Sequence, residues 1–295
     1  MKTAKFGKIT FIQGLDQGRY PYCNSIFIDD GEGAVIDPGS NEAALLEIRD
    51  RVRFLINSHY HEDHIAFNYL FPEALLLVPR EEALCYRSIQ SFLDYYGLVG
   101  SEFEEEWRDI VVNRFHFRER IPDREFQDND VFTFGGTRME VIHTPGHSPG
   151  HSSFWFPDEE VLFLGDLDMT SFGPWYGDRV SDIDQTIESV RRIMQIPARV
   201  FLAGHEAGII EGESISARAE AFMGVIERRD RNILAYLDEP RSLDEIVNQW
   251  FIYRKPREPR YLFEFGERAL TGKHLERMVR DGRVRMQNGK YVRQA

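Results

Sequence analysis

The chain has 295 residues, room for one large domain and a small one, and carries 36 basic against 49 acidic side chains, a net charge of −13. At 42% hydrophobic and 29% charged it has an ordinary buried core and a soluble surface, and no apolar run approaches the roughly 20 residues of a membrane span. Residues 1–8 lack the apolar stretch of a secretory signal, and two cysteines, Cys23 and Cys85, are too few for a disulfide framework, so a cytoplasmic protein with no membrane partner is expected.

Strand-like runs at 9–13, 24–28 and 34–36 come first, a predicted meander ending at the turn Asp37-Pro38-Gly39, with a helix expected over 41–50. An apolar run at 52–56 is followed directly by His59-Tyr60-His61-Glu62-Asp63-His64, which packs four candidate metal ligands into six residues. A strand at 75–78 precedes a long stretch, 81–115, that reads as helices with aromatic and acidic positions, expected as an inserted lid or dimer face within an insertion at about 81–120. Residues 132–137 form a hairpin, and the run 138–142 leads to Thr144-Pro145-Gly146-His147. A second hairpin pairs 152–156 with 161–164 and ends in Leu164-Gly165-Asp166. Residues 182–194, apolar at Ile183, Ile187, Val190 and Ile193, predict an amphipathic helix over the sheet, and the run 199–202 ends in Ala203-Gly204-His205. Helix-like runs at 229–237, 242–250 and 271–281 then lead to 284–292, where Asn288-Gly289 between alternating residues signals a two-residue hairpin turn.

Each ligand-bearing motif sits where an apolar strand ends, the position from which a sheet can hold loop side chains while leaving them free to converge. Together they supply His59, His61, Asp63, His64, His147, Asp166 and His205. One tetrahedral catalytic ion takes three protein ligands and a water, so seven is too many for one ion and suits two that share a carboxylate. Imidazole mixed with carboxylate suits zinc, iron or manganese, and such an oxygen-bearing open site is catalytic in character. Two divalent ions can hold a hydroxide between them as nucleophile and polarise a carbonyl or phosphoryl oxygen. Asp63 and Asp166 are the carboxylates expected to take part in catalysis, Asp63 by orienting that hydroxide and accepting its proton. No Ser-His-Asp or Cys-His arrangement is then required.

The order H-x-H-x-D-H followed by H, D and H resembles the metallo-β-lactamase superfamily. The resemblance covers roughly residues 1–215 and implies an α+β fold, a four-layer αββα sandwich. It also implies that one ion takes His59, His61 and His147, the other Asp63, His64 and His205, and that Asp166 bridges them. Within the superfamily, the 38 residues between Asp166 and His205 leave no room for the cap domain of relatives that act on nucleic-acid ends. An acidic bridge at Asp166 argues against antibiotic hydrolysis, and His61 stands where the diiron flavoproteins carry a glutamate. The expected activity is hydrolysis of an ester, thioester or lactone-type small molecule by a metal-bridging hydroxide, with two divalent ions, zinc first and iron or manganese as alternatives. Persulfide dioxygenases of the superfamily keep the same ligand residues around a single iron, and that reading stays open.

Two further regions bear on the substrate. The aromatic segment 168–179 after Asp166 offers Phe172, Trp175 and Tyr176 as a roof over the ions, with Tyr20, Tyr22 and Asn24 expected across the same cleft. His151 is expected to hydrogen-bond a neighbouring ligand or loop rather than bind metal. Residues 228–295 hold 16 basic against 10 acidic side chains, while the first 227 hold 20 against 39. This change of surface, with helices followed by a hairpin, predicts a small winged-helix-like C-terminal domain at 216–295 after a catalytic domain at 1–215. A positive tail supports a second reading, an endoribonuclease or phosphodiesterase with Lys273, Arg277, Arg280, Arg283 and Arg285 on RNA phosphates; docking onto the acidic domain or a homodimer contact is the other account of it.

Overall fold

The computed structural model describes residues 3–294 and arranges them as two facing β-sheets with helices on both outer sides. The first sheet runs in chain order from β1 (Thr3–Phe6) through β2 (Ile9–Ile12), β3 (Ser25–Ile28), β4 (Ala34–Ile36), β5 (Phe54–Ile56) and β6 (Leu75–Pro79) to β7 (Arg124–Phe126). β2, β3 and β4 form the expected antiparallel meander, β1 adds an antiparallel strand the sequence reading did not include, and the rest pair in parallel. The second sheet contains β8 (Val131–Phe134), β9 (Thr137–His143), β10 (Ser152–Phe156), β11 (Val161–Phe163), β12 (Val200–Leu202) and β13 (Ile209–Glu211), with β11 and β12 parallel.

Because successive strand residues face opposite ways, one strand feeds two cores. Ile26 and Ile28 of β3 join Phe126, Phe154, Phe156 and Phe163 between the sheets, while Phe27 points outward with Val35, Leu55 and Leu76. That outer face is covered by α1 (Glu42–Ile48), α2 (Glu62–Ile65) and the insertion helices α3 (Ala83–Arg87), α4 (Ile89–Tyr96) and α5 (Glu104–Asp109). The outer face of the second sheet is covered by α6 (Ile183–Ile193), capped by the Asp182 carboxylate accepting from the Gln185 N–H at 2.8 Å, and by the first half of α7 (Gly212–Tyr236).

The C-terminal segment completes the molecule with the second half of α7, α8 (Leu243–Val247), α9 (Arg260–Arg280) and the hairpin β14 (Val284–Gln287) and β15 (Lys290–Arg293). Asn288 and Gly289 both have positive φ, 51° and 73°, as the two-residue turn requires. Ile233, Leu237, Ile246, Leu275, Met278 and Val284 form this segment's own small core. The break expected between 215 and 216 falls inside α7, whose Ile215, Ala219 and Phe222 pack on the second sheet and whose Ile233 belongs to the tail core. The insertion at 81–120 meets the tail directly: Phe265 of α9 lies 5.8 Å from Trp107 and 6.3 Å from Phe103 between ring centres.

Of the five tail cations expected on RNA phosphates, four are engaged within the chain. Arg277 lies 2.7 Å from Asp184 and 3.1 Å from Asp230, Arg283 lies 2.8 Å from Asp230, and Arg280 also pairs with Asp184. Lys273 donates to the Arg179 carbonyl at 2.7 Å, and Arg285 alone of the five has no such partner among the described residues. Arg277 and Arg280 thus meet Asp184 of α6, and Arg277 and Arg283 meet Asp230 of α7 within the tail itself.

Candidate metal centre

Four strand ends supply the site. The chain leaves β5 into residues 57–61 and the single turn of α2, leaves β9 into 144–151, leaves β11 at Gly165-Asp166 and leaves β12 at 203–205. The Asp37-Pro38-Gly39 turn lies beneath them, and a Cβ on Gly39 would stand 1.7 Å from the Asp63 carbonyl oxygen, so only glycine lets the two loops meet.

All seven candidate ligands converge. Donor atoms of His59, His61, His147 and Asp166 lie within 4.8 Å of one another, as do those of Asp63, His64 and His205. His147 Nε2 stands 3.2 Å from His59 Nε2 and 2.9 Å from His61 Nδ1, and His64 Nε2 stands 3.4 Å from His205 Nε2. Asp166 faces both groups, with Oδ1 2.9 Å from His64 Nε2 and Oδ2 3.4 Å from His147 Nε2 and 3.3 Å from His205 Nε2.

The other ring nitrogen of each histidine identifies the tautomer. Ser58 Oγ gives its proton to Asp37 Oδ2 at 2.6 Å and so accepts from His59 Nδ1 at 2.9 Å. His61 Nε2 donates to Asp178 at 2.7 Å, His64 Nδ1 to Asp37 at 3.0 Å, His147 Nδ1 to the Trp175 carbonyl at 3.1 Å and His205 Nδ1 to the Gly18 carbonyl at 2.7 Å. Each outer nitrogen thus carries the proton, and each inner nitrogen presents a lone pair to the centre. Lone pairs 2.9 to 3.4 Å apart repel unless a cation lies between them. A tetrahedral ion with nitrogen ligands at about 2.0 to 2.1 Å sets neighbouring ligands about 3.3 Å apart, so the residues fit a divalent ion. Asp166 Oδ1, buried without a hydrogen-bond partner, fits the same demand. Asp37 also lies near His59 and His64, but it accepts from Ser58 and His64 and therefore holds ligands rather than an ion.

The electrostatics divide the five histidines into two kinds. Burial drives His59 and His147 well below the ordinary imidazole range. Burial pushes His61, His64 and His205 the same way but is outweighed by carboxylates, Asp178 carrying His61 to about 9 and Asp166 holding the other two high. Buried carboxylates that draw protons onto their neighbours are an environment in which a cation takes the protons' place.

His151 hydrogen-bonds through both nitrogens, accepting from the Asp166 N–H at 2.9 Å and donating to the Thr144 carbonyl at 3.0 Å; it orients the Asp166 loop. Phe172 and Trp175 line the cavity above the centre. Tyr22, Asn24 and Tyr176 are not among the residues that line it, which corrects the expectation that they border the substrate. Asn24 is buried, bonding the Gly14 N–H and the Ala203 and His205 carbonyls, and Tyr176 is buried between Arg229 and His274. Tyr22 contributes its carbonyl to His205.

The cavity is about 990 Å³, and much of its wall above the candidate ligands lies outside the metal motifs. One wall comes from Tyr20, Glu62, Tyr96 and Trp107, where both tyrosine hydroxyls donate to the buried Glu62. The opposite wall comes from the tail, with Arg228, Arg229, Tyr253, Arg254, Arg257 and Phe263. The only sequence signal for that wall is the aromatic and basic character of 251–263.

The family profile described as the metallo-beta-lactamase superfamily matches residues 19–205, more than half of the chain. A hydroxyacylglutathione hydrolase of Haemophilus influenzae is 25% identical over 49% of this chain and 65% of its own length, and one of Brucella anthropi is 30% identical over 58% and 54%. The chain thus spans about half to two thirds of those relatives. A crystal structure of a metallo-beta-lactamase family protein from Thermus thermophilus covers 97% of this chain and 99% of its own, with a TM-score of 0.73 at 23% identity, a likeness of fold.

Proposed function

The chain belongs to the metallo-β-lactamase superfamily, and from that premise we propose that it is a dinuclear metallohydrolase that cleaves a thioester or ester of a small molecule. The observation that carries this reading is the orientation of five imidazoles, each with its outer N–H fixed and its inner lone pair aimed into one of two clusters that share Asp166. His59, His61 and His147 would hold one ion, and Asp63, His64 and His205 the other, with Asp166 facing both. Zinc is the proposed ion, since its tetrahedral preference suits nitrogen and carboxylate donors, which also accept iron and manganese. When bound, the ions supply Lewis acidity towards the substrate oxygen and bring a water's pKa towards neutrality.

The chain's own groups do the rest. Asp63 turns Oδ2 towards His205 and His64, and its carboxylate is placed to orient the attacking water and accept its proton. Water's oxygen forms the new bond to the acyl carbon, the bond to the leaving sulfur or oxygen breaks, and the leaving group receives the proton. Phe172 and Trp175 hold the acyl portion and exclude bulk water. The two named hydroxyacylglutathione hydrolases support a thioester, and the internal pairing of the tail cations removes most support from an RNA substrate.

The test is turnover of a thioester, a lactone and a phosphodiester by protein loaded with zinc, before and after chelation. Thioester or lactone cleavage that chelation abolishes and zinc restores is expected. Turnover confined to the phosphodiester, or oxygen consumption with a persulfide on one iron, would overturn the reading.

A further inference from the structure

We propose that the mouth of the cavity is an anion-binding subsite in which Arg228, Arg254 and Arg257 hold the negatively charged end of the substrate's leaving group, away from the bond that breaks. This rests on the hydrolase reading above and names the substrate class within it: an acyl compound whose leaving group ends in phosphates or carboxylates.

The cations around the cavity fall into two kinds. Arg19 is already neutralised, 2.8 Å from Glu206 and 3.9 Å from Asp16. Arg229 is buried and donates to the Pro174 and Phe172 carbonyls and the Tyr176 hydroxyl at 2.8 to 3.0 Å, so it holds the loop above the centre. Arg228, Arg254 and Arg257 are exposed, and none has a carboxylate within 4.0 Å among the described residues. Six other tail arginines, Arg241, Arg260, Arg268, Arg277, Arg280 and Arg283, have acidic partners, while Arg285, like Lys255, has none among the described residues but lies outside the cavity lining. What sets these three apart is their place: they line the cavity that also reaches the candidate metal ligands, in a chain whose net charge is −13.

The surrounding rings order part of this group. The Arg257 guanidinium lies over the Tyr253 and Phe263 rings at 5.9 and 5.7 Å, and Tyr253 stacks on Phe172 at 5.4 Å. A guanidinium held by rings keeps its fork of donors for an oxyanion at a reduced entropic cost. The same cavity reaches down to the buried His61, Asp63 and His205, and its volume, about 990 Å³, exceeds the need of a short acyl group. An elongated ligand with its acyl end at the floor and its charge at the mouth satisfies both ends.

The experiment compares three thioesters with the same acetyl group: neutral S-acetyl-N-acetylcysteamine, S-acetylglutathione with carboxylates, and acetyl-coenzyme A with phosphates. At least one anionic thioester is expected to exceed the neutral one at least tenfold in kcat/KM, and the preferred one tells carboxylate from phosphate. The ratio should shrink as salt is added and fall at least tenfold in the double variant Arg254→Ala/Arg257→Ala. Arg231→Ala, exposed on α7 and paired with Glu227, should leave the ratio unchanged. A ratio near one, or a ratio the double variant leaves intact, would overturn the subsite. Binding is also read without turnover, because Trp107 and Trp175 line the cavity. Titrating glutathione and inorganic pyrophosphate against tryptophan fluorescence should give saturable binding for one of them, at least tenfold weaker in the double variant. Binding without hydrolysis of any thioester would sink the hydrolase reading and leave the subsite standing; no saturable binding, or equal affinity in the variant, would sink the subsite.

Discussion

Replacing Asp178 by asparagine tests how the centre is held. Asp178 is fully buried and accepts from His61 Nε2 at 2.7 Å and from the Tyr60 hydroxyl at 2.6 Å, both through Oδ2. Its Oδ1 has no partner, so the amide's NH2 can take that place while its oxygen keeps both hydrogen bonds. What disappears is the charge behind His61. Loss of such an outer partner costs about 10 to 100-fold in metal affinity, or about 1.4 to 2.8 kcal/mol. The loss should fall on the ion held by His59, His61 and His147 and leave the one at Asp63, His64 and His205 within a few fold, since the acceptors behind His64 and His205 are Asp37 and backbone carbonyls. Competition with a chromophoric chelator resolves the two affinities. Equal weakening at both sites, or none at either, would refute the assignment of His61 and the role of Asp178.

Asn24→Ala should lower stability by about 1 to 3 kcal/mol in denaturant unfolding, because it leaves the buried Gly14 N–H without its acceptor, and should loosen the second ion by freeing the His205 loop. A variant as stable as the parent would contradict this. Burial pushes the Glu82 carboxyl up to about 7, despite hydrogen bonds from Ser148 and Gly150. With its folded value above its unfolded 4.5, Glu82 favours the fold at low pH, and that contribution drains away as pH rises towards 7, by about 3 kcal/mol at most. Glu82→Gln should therefore gain stability relative to the parent between pH 5 and pH 8; thermal melts at the two pH values check the sign, and a parallel pH dependence would contradict it.

The cluster of candidate ligands was legible in the sequence because each residue lies in a short motif directly after an apolar strand, so local pattern alone brings them to one edge. The groups behind them were not. Asp37 reads as part of a turn, Ser58 as a neighbour of the first histidine and Asp178 as a loop residue, and only folding brings Asp37 beneath His64 and Asp178 beside His61. The tail helices were underestimated for a packing reason. α9 begins at Arg260, eleven residues before the run that reads as helical, because Gly266 interrupts the pattern. A Cβ there would stand 2.6 Å from the Tyr253 hydroxyl and 3.1 Å from the Trp175 ring, so the helix accepts glycine's cost to lie against the cavity. The basic balance of the tail was visible, but charge counts cannot reveal that Asp184 and Asp230 would absorb much of it.

The most direct measurement is the metal content of the purified protein together with a crystal structure using anomalous scattering at the metal edges. Two ions per chain are predicted, one on His59, His61 and His147, the other on Asp63, His64 and His205, with Asp166 touching both. A single ion, or one ligated by Asp37 in place of Asp166, would contradict the dinuclear centre.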